Sequence, residues 1–370
     1  MIPILFPPGE TQYNNNGIGR LGDAVSCIAT EERNGIFDLA MTYPVAGAHF
    51  DDIVLGSQIL AVPSDKATRA QPFDIVSIRK TLDSTIEIVA NHISYRMMFT
   101  PVKPVSNTSY ITASAAIAAV KNKLAGTSPF VISTDIASKA IFHLDEPASL
   151  KSVLYGMEGS LLDMYGGTWE FDWYNATLRG QRGEDTGITI RYGKDLTGMN
   201  YEESQEEIFT GVLPYWRGSV QSGETTQDVV VVADAPITVP ALAAAMPYAR
   251  NIVLDVTSDF ADGEFTDQPT KAQVVAKGRA YLDKNVTETE TINIDVSFVP
   301  LWQMDYNRTT QHKPIGLCDS VTVVHSPLGV MYSGKIVKTE YDVLRDRYQS
   351  LEIGLLKPKL SDIMVSGGIK

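Results

Sequence analysis

Residues that could carry chemistry occur in several suggestive settings, and their spacing decides what each can do. Gly17-Ile18-Gly19-Arg20-Leu21-Gly22 is a literal GxGxxG. A dinucleotide site needs that motif to follow a strand and to open a helix whose N-terminus holds the pyrophosphate. Here the polar turn Asn14-Asn15-Asn16 precedes it and a β-like run follows, so it reads as a glycine-rich turn. The stretch Gly187 to Gly193-Lys194 resembles a phosphate loop, but five residues separate its glycines instead of four, and Asp195 stands where Ser or Thr would hold magnesium. None of the histidines His49, His92, His143, His312 and His325 sits in HExxH, so they read as scattered structural residues. There is no GxSxG elbow, and neither Cys27 nor Cys318 has the local setting of a thiol protease. The carboxylate pairs Glu202-Glu203 and Glu206-Glu207 read as solvated, whereas a glycosidase holds two carboxyls about 5 to 10 Å apart with one pKa raised by burial. The segment from Asp259 to Asp267, with Asp262, Gly263 and Glu264, could gather oxygen ligands for calcium, yet it lacks the EF-hand order and its terminal Glu, and an exposed loop is expected. Trp169, Phe171, Trp173 and Tyr174 could form a sugar platform, but strand alternation puts Trp169, Phe171 and Trp173 on one face, packed against the preceding helix. No catalytic, cofactor-binding or metal-ligating residue is therefore expected, no cofactor, and no enzymatic activity.

Bulk properties bound the rest. At 370 residues the chain exceeds the size at which one hydrophobic core keeps growing, so several domains are expected. Its 44% apolar and 20% charged content places it with folded globular chains and away from disordered ones. A net charge of −13 argues against wrapping nucleic acid, which needs a basic surface, while passage of DNA through a repelling channel is compatible with it. Cys27 and Cys318 lie in apolar, β-branched runs without CxxC, and buried reduced thiols are expected. The start Met1-Ile2-Pro3-Ile4-Leu5-Phe6-Pro7-Pro8 lacks the basic segment of a secretory signal, and no apolar run approaches the roughly 20 residues that span a bilayer. Synthesis and assembly in a cytoplasm, with no membrane insertion, are the expectation.

The elements that must position these residues are mostly strands. Alternating runs at Ala24–Ile28, Gly35–Leu39, Ile53–Leu55 continuing to Ile59–Val62, Phe73–Ile78 and Ser84–Ala90 predict an all-β module over 1–105. A helix is predicted from Thr112 to Val120, and a second from Pro147 through Leu150, Val153, Leu154, Met157 and Leu161 to Gly166-Gly167. A hairpin follows, Thr168–Phe171 and Thr177–Arg179 around Asp172-Trp173-Tyr174-Asn175, then a strand at Ile188–Arg191, giving a small α+β domain over 106–200. Runs at Ile208–Leu213, Val229–Val232, Thr291–Val299, Ser320–Val324, Val330–Glu340 and Gln349–Leu355 predict a second β module over 201–237 with 289–362. Helical patches at Pro240–Met246 and Thr270–Leu282 mark an inserted subdomain over 238–288. The expected class is α+β, mainly β, with two β-barrel-like domains and two small α+β domains. Ile18-Gly19 to Cys27 echoes Ile315-Gly316 to Val323, each with an Asp two residues before a Val at a strand entry, suggesting two β modules of similar plan.

Several phrases resemble the prophage tail-endopeptidase, or tail-associated lysin, family of siphophage baseplate hubs. They are Gln71-Pro72-Phe73-Asp74-Ile75, Ala90-Asn91-His92-Ile93-Ser94-Tyr95, Leu317 to Val323, Lys335 to Leu344 and Tyr348 to Gly354, so the likeness spans nearly the whole chain. These are packing and turn phrases, specific for fold and silent about activity. The resemblance implies a hub similar to that of contractile-tail phages, in which two β-barrel tube domains per subunit form a pseudo-six-fold ring as a homotrimer at the virion tail tip. It implies as partners the distal tail protein and tail tube proteins, with DNA passing through the lumen without specific binding. Family members that cut cell walls carry the lysin as an extra carboxy-terminal domain, and this chain stops at Ser366-Gly367-Gly368-Ile369-Lys370. A structural role is therefore expected, with a wall-degrading endopeptidase as the alternative.

Overall fold

The computed structural model describes residues 1–205, 208–222, 225–260, 268–285, 291–298 and 314–354. Among these residues strand outweighs helix, 45% against 18%, and the class is α+β, mainly β. Two compact units form, Met1–Tyr201 with Asn293–Lys370, and Glu202–Ile292.

The larger unit is organised by hairpins that the alternation marks. Ser26–Glu32 pairs with Phe37–Pro44, and Gln71–Lys80 with Thr85–His92. Their turns place Asn34 and Ser84 at φ of 56° and 60°, as does Asp346 at 56° between Val330–Asp342 and Arg347–Gly354. Short polar side chains pay little for this left-handed backbone because they bond locally. The predicted strand over Ile53–Leu55 is absent. Only Gln58–Ala61 extends, because a single turn at Phe50–Asp52 and Gly56 at φ 85° reverse the chain first.

The two ends of the sequence join in one sheet. Lys338 to Asp342 pair antiparallel with Glu32 to Ile28, so the amino-terminal strands and the carboxy-terminal strands Thr291–Phe298, Ser320–His325, Val330–Asp342 and Arg347–Gly354 share a 13-stranded sheet. Its path runs openly from Leu196–Ser204 to Gly19–Arg20, and no closed barrel is found among the described residues. The physical reason is that the edge which would close the first module, Ser26–Glu32, is satisfied by Val330–Asp342 instead. Both echoed aspartates cap backbone near a strand entry: Asp23 accepts the Ala48 N–H at 2.8 Å, and Asp319 accepts those of Gly316 and Glu184 at 2.8 and 3.0 Å.

Between these strands lies a helical core. α1 (Ala113–Asn122) starts where Thr112 Oγ1 accepts the Ala115 N–H at 3.2 Å. The single helix predicted from Pro147 is in fact two, α2 (Leu150–Tyr155) and α3 (Leu161–Tyr165). Ser149 caps the first and Ser160 the second, with Gly156 and Gly159 between them, Gly159 at φ 74°. Glycine and a capping serine terminate and restart the helix more strongly than the apolar spacing continues it. Leu150, Val153, Leu154 and Leu161 still share a core with Ile117, Val120 and Trp169, while Met157 is left exposed. The predicted hairpin is present as Thr168–Asp172 and Asn175–Arg179. Asp185–Arg191 pairs parallel with Ser320–His325, so it belongs to the large sheet.

In the smaller unit, Gly211–Ser222 pairs with Thr225–Val232, Ile237–Thr238 and Asn251–Asp255, so the stretches 201–237 and 238–288 contribute to one sheet. α4 (Pro240–Ala245) carries proline in its first turn, and α5 (Lys271–Asn285) packs Val274 against Val231, Val256 and Phe260. A Cβ at Gly278 of α5 would lie 2.7 Å from the Pro214 ring, so glycine is what lets helix and sheet approach.

Candidate functional site

The large sheet has two unlike faces. Alternation buries Cys27, Ala29, Leu39, Met41, Ile86, Ile88, Tyr341, Leu351 and Ile353 on one side. Cross-strand register assembles the other side, because directly opposed residues point the same way. Asp295 faces Glu352, which faces Lys338, which faces Glu32. Glu340 faces Thr30 and then Asp38, and Thr42 faces Glu87 and then Arg79. Small or polar residues fill the gaps, Ser26, Thr30, Ala40, Thr42, Ser77 and Ser350, none of them buried. Carboxylates thus gather on a surface crossing both ends of the sequence, interrupted where Ile28, Ala40 and Val89 stand opposite one another. Of its strand cations, Lys338 sits 3.4 Å from Glu340 and 3.8 Å from Glu32, and Arg79 sits 3.3 Å from Glu87.

Behind that surface a charged network fastens the elements. Arg182 reaches Glu31 at 2.7 Å and the Trp169 carbonyl at 3.0 Å, with the side chains of both ionic partners nearly buried. Lys66 bridges Glu184 at 2.9 Å and Asp319 at 2.8 Å. Arg69 grips both carboxylate oxygens of Asp172 at 2.7 Å, and Gln71 donates to the same group at 2.8 Å. Asn34 uses its side-chain amide like a peptide group, accepting the Trp169 N–H at 2.8 Å and donating to the Gly167 carbonyl at 3.2 Å. The cleft at this junction, about 420 Å³, is lined by Glu31, Lys66, Glu170, Asp172, Arg182, Glu184 and Asp319. Each is committed to a charged partner, which suits a fastener.

The residues singled out by sequence are dispersed. Gly17 takes φ 58° and Gly19–Arg20 is a strand, so the GxGxxG lies in a turn and strand with no helix to hold a phosphate. Gly187 falls within Asp185–Arg191. His49 meets Asp52, His143 meets Asp145, and His325 lies against Tyr192 with the rings tilted by 44° while it accepts the Leu328 N–H. No group of three His, Cys, Asp or Glu among the described residues is placed to hold a metal ion. Cys27 and Cys318 are buried free thiols, and burial raises the pKa of both. Glu202, Glu203 and Asp259 are exposed, whereas Glu206, Glu207, Asp262, Gly263, Glu264, Asp267 and His312 lie outside the described residues. Trp169 packs as expected, its indole N–H donating to the Leu154 carbonyl of α2 at 3.1 Å. Trp173 departs from that face. It occupies the turn at φ 53°, donates to the Ala70 carbonyl at 2.7 Å and lies under Arg69. No described helix is long and apolar enough to cross a membrane.

Sequence reading missed both the acidic face and the Glu31–Arg182 pair. Each had a signal: Ser26, Thr30 and Glu32 are polar on one side of the strand, and Glu31 interrupts the apolar series Cys27, Ala29 on the other.

His92 gives this network a pH dependence. It is fully buried, stacked on Phe37 at 4.3 Å, accepts the Ser94 N–H on Nδ1 and faces Gln71 Oε1 with Nε2 at 3.3 Å. Burial lowers its pKa from 6.5 to about 3, the Asp172 charge opposing and the Arg96 charge reinforcing. The unfolded chain takes a proton that the fold refuses between those values, so the contribution is whole above pH 6.5 and is lost as pH falls toward 3. In His92→Gln the melting temperature is expected to be lower at pH 7 but to fall less between pH 7 and 4.5 than in the parent; equal falls would assign the acid sensitivity elsewhere.

No protein-family model matches the chain, and no curated protein sequence matches it. Solved structures do. Prophage tail protein gp18 from Listeria monocytogenes EGD-e superposes with a TM-score of 0.61 at 14% identity, over 99% of this chain and 98% of that one. The 43 kDa tail protein of prophage MuSo2 from Shewanella oneidensis gives 0.57 at 12% identity, over 95% and 98%. The tail protein from Neisseria meningitidis MC58 gives 0.55 at 11% identity, over 96% of each chain. At these identities what is shared is the fold, along essentially the full length of each.

Proposed function

We propose that this chain is a structural protein of a phage tail tip, a baseplate hub assembled in the host cytoplasm as a trimeric ring between the tail tube with its distal tail protein and the tip. The observation that carries the reading is the sheet continuous through Glu32–Lys338, with one face packed and the other acidic. Three copies, each bringing its amino-terminal and carboxy-terminal strands, would build a wall whose polar face lines a lumen. Fixed carboxylates there repel phosphates, so DNA passes without adhering. The shared fold with three prophage tail proteins supports the same reading. A structural hub needs no catalytic group, in keeping with charges at the junction that pair with one another.

Light-scattering mass across a concentration series, alone and with the distal tail protein, tests this. A trimer, alone or only with that partner, is expected, since ring subunits can depend on neighbours for closure. A strict monomer that ignores the partner and degrades peptidoglycan would replace the hub with the endopeptidase alternative.

A further inference from the structure

We infer that the outward edge of the Gln71–Lys80 strand, from Val76 to Lys80, is a self-interface that adds by strand pairing to a second copy of this chain; this rests on the ring reading above. The strand's first half is flanked on both sides, by Gln58–Ala61 and by Thr85–His92. Past the register shift between Ile75 and Ser77 it has Thr85–His92 on one side and no strand on the other among the described residues. Ile75 donates outward to the Ser57 carbonyl, and Thr81 donates inward to the Thr85 carbonyl. Two-residue alternation between those anchors, reset by the bulge, turns the backbone groups of Ile78 and Lys80 outward. The segment is open to approach: Val76 is 49% exposed, and Leu82, in the turn beyond, is wholly exposed.

Two observations select a second copy as the occupant. The first is charge. Arg79, held 3.3 Å from Glu87, and exposed Lys80 stand on opposite faces of this edge in a chain of net charge −13, so another copy offers carboxylates that complement it. The second is precedent within the molecule, where Ser26–Glu32 already pairs edge to edge with Val330–Asp342. A ring repeats such a junction between subunits, and a heterologous contact that closes leaves no strand edge open. The competing reading is that Arg79, Lys80 and the bulge only guard an isolated edge against aggregation.

Amide hydrogen exchange and light-scattering mass on the full chain, at concentrations or with the partner where it assembles, separate these. Assembly should slow exchange at Ile78 and Lys80 by roughly tenfold or more. Lys80→Pro, which removes one outward donor at a position where an edge tolerates proline, and Lys80→Glu, which leaves the Arg79–Glu87 pair intact, should each give monomers with the parent's melting temperature. A trimer that persists in these variants, with both amides exchanging freely, would overturn the edge assignment and leave the ring standing. A chain that stays monomeric under every condition would remove the ring and this interface together.

Discussion

Arg182→Ala is expected to destabilise the larger unit by about 3–5 kcal/mol, the cost of stranding one partner of a buried pair. Glu31 and Arg182 lie 2.7 Å apart with side chains only 11% and 16% exposed, so the carboxylate left behind is poorly hydrated. The truncation also removes the donor that reaches the Trp169 carbonyl. Much of the loss belongs to the uncompensated carboxylate, not to the pair, and a double variant distinguishes these. Glu31→Leu with Arg182→Met fills the same space without charge and should recover most of the stability, because two desolvated ions often do no better than a packed apolar pair. Urea unfolding followed by tryptophan fluorescence gives the comparison, with coupling read from the double-mutant cycle. Additive losses in the double variant would mean that the two side chains act separately and that the network does not fasten the elements.

How much of this was legible depends on how local the determining signal is. Ser26–Glu32 and Thr85–His92 were readable because alternation is a property of neighbouring residues. The helix from Pro147 was overextended because Leu150, Val153, Leu154 and Leu161 keep a helical rhythm across Gly156, Gly159 and Ser160, and the breakers outweigh the rhythm. Trp173 was misplaced since a strand pattern does not reveal which residue must turn left-handed. The join between Glu32 and Lys338 is of another kind. Nothing near either residue specifies the other, so two separate barrels and one shared sheet predict the same alternation. The acidic face inherits that limit: its carboxylates are ordinary solvated positions until register sets Asp295, Glu352, Lys338 and Glu32 side by side.

That assembled face yields the second large effect. Neutralising Glu32, Glu87, Glu340 and Glu352 to glutamine and Asp38 to asparagine would shift the net charge from −13 to −8, each substitution removing one negative charge. More important is locality, since Lys338 loses the carboxylates at Glu32, Glu340 and Glu352, and Arg79 loses Glu87. Glutamine keeps the shape and can still accept the Ser350 hydroxyl at position 340, so the fold should survive. The parent is expected to show no retention of duplex DNA even at low salt. The variant should retain it at about 50 mM salt and release it by about 200 mM, the steep dependence that follows when bound cations displace counterions from phosphates. Electrophoretic mobility shift at the two salt concentrations reads this directly. If the variant stays as indifferent to DNA as the parent, fixed charge on this face does not govern contact with DNA, and the sheet would have to line something other than its path. If the parent itself binds, the repelling wall is wrong at its root, because a conduit that holds the genome on its surface cannot let it slide.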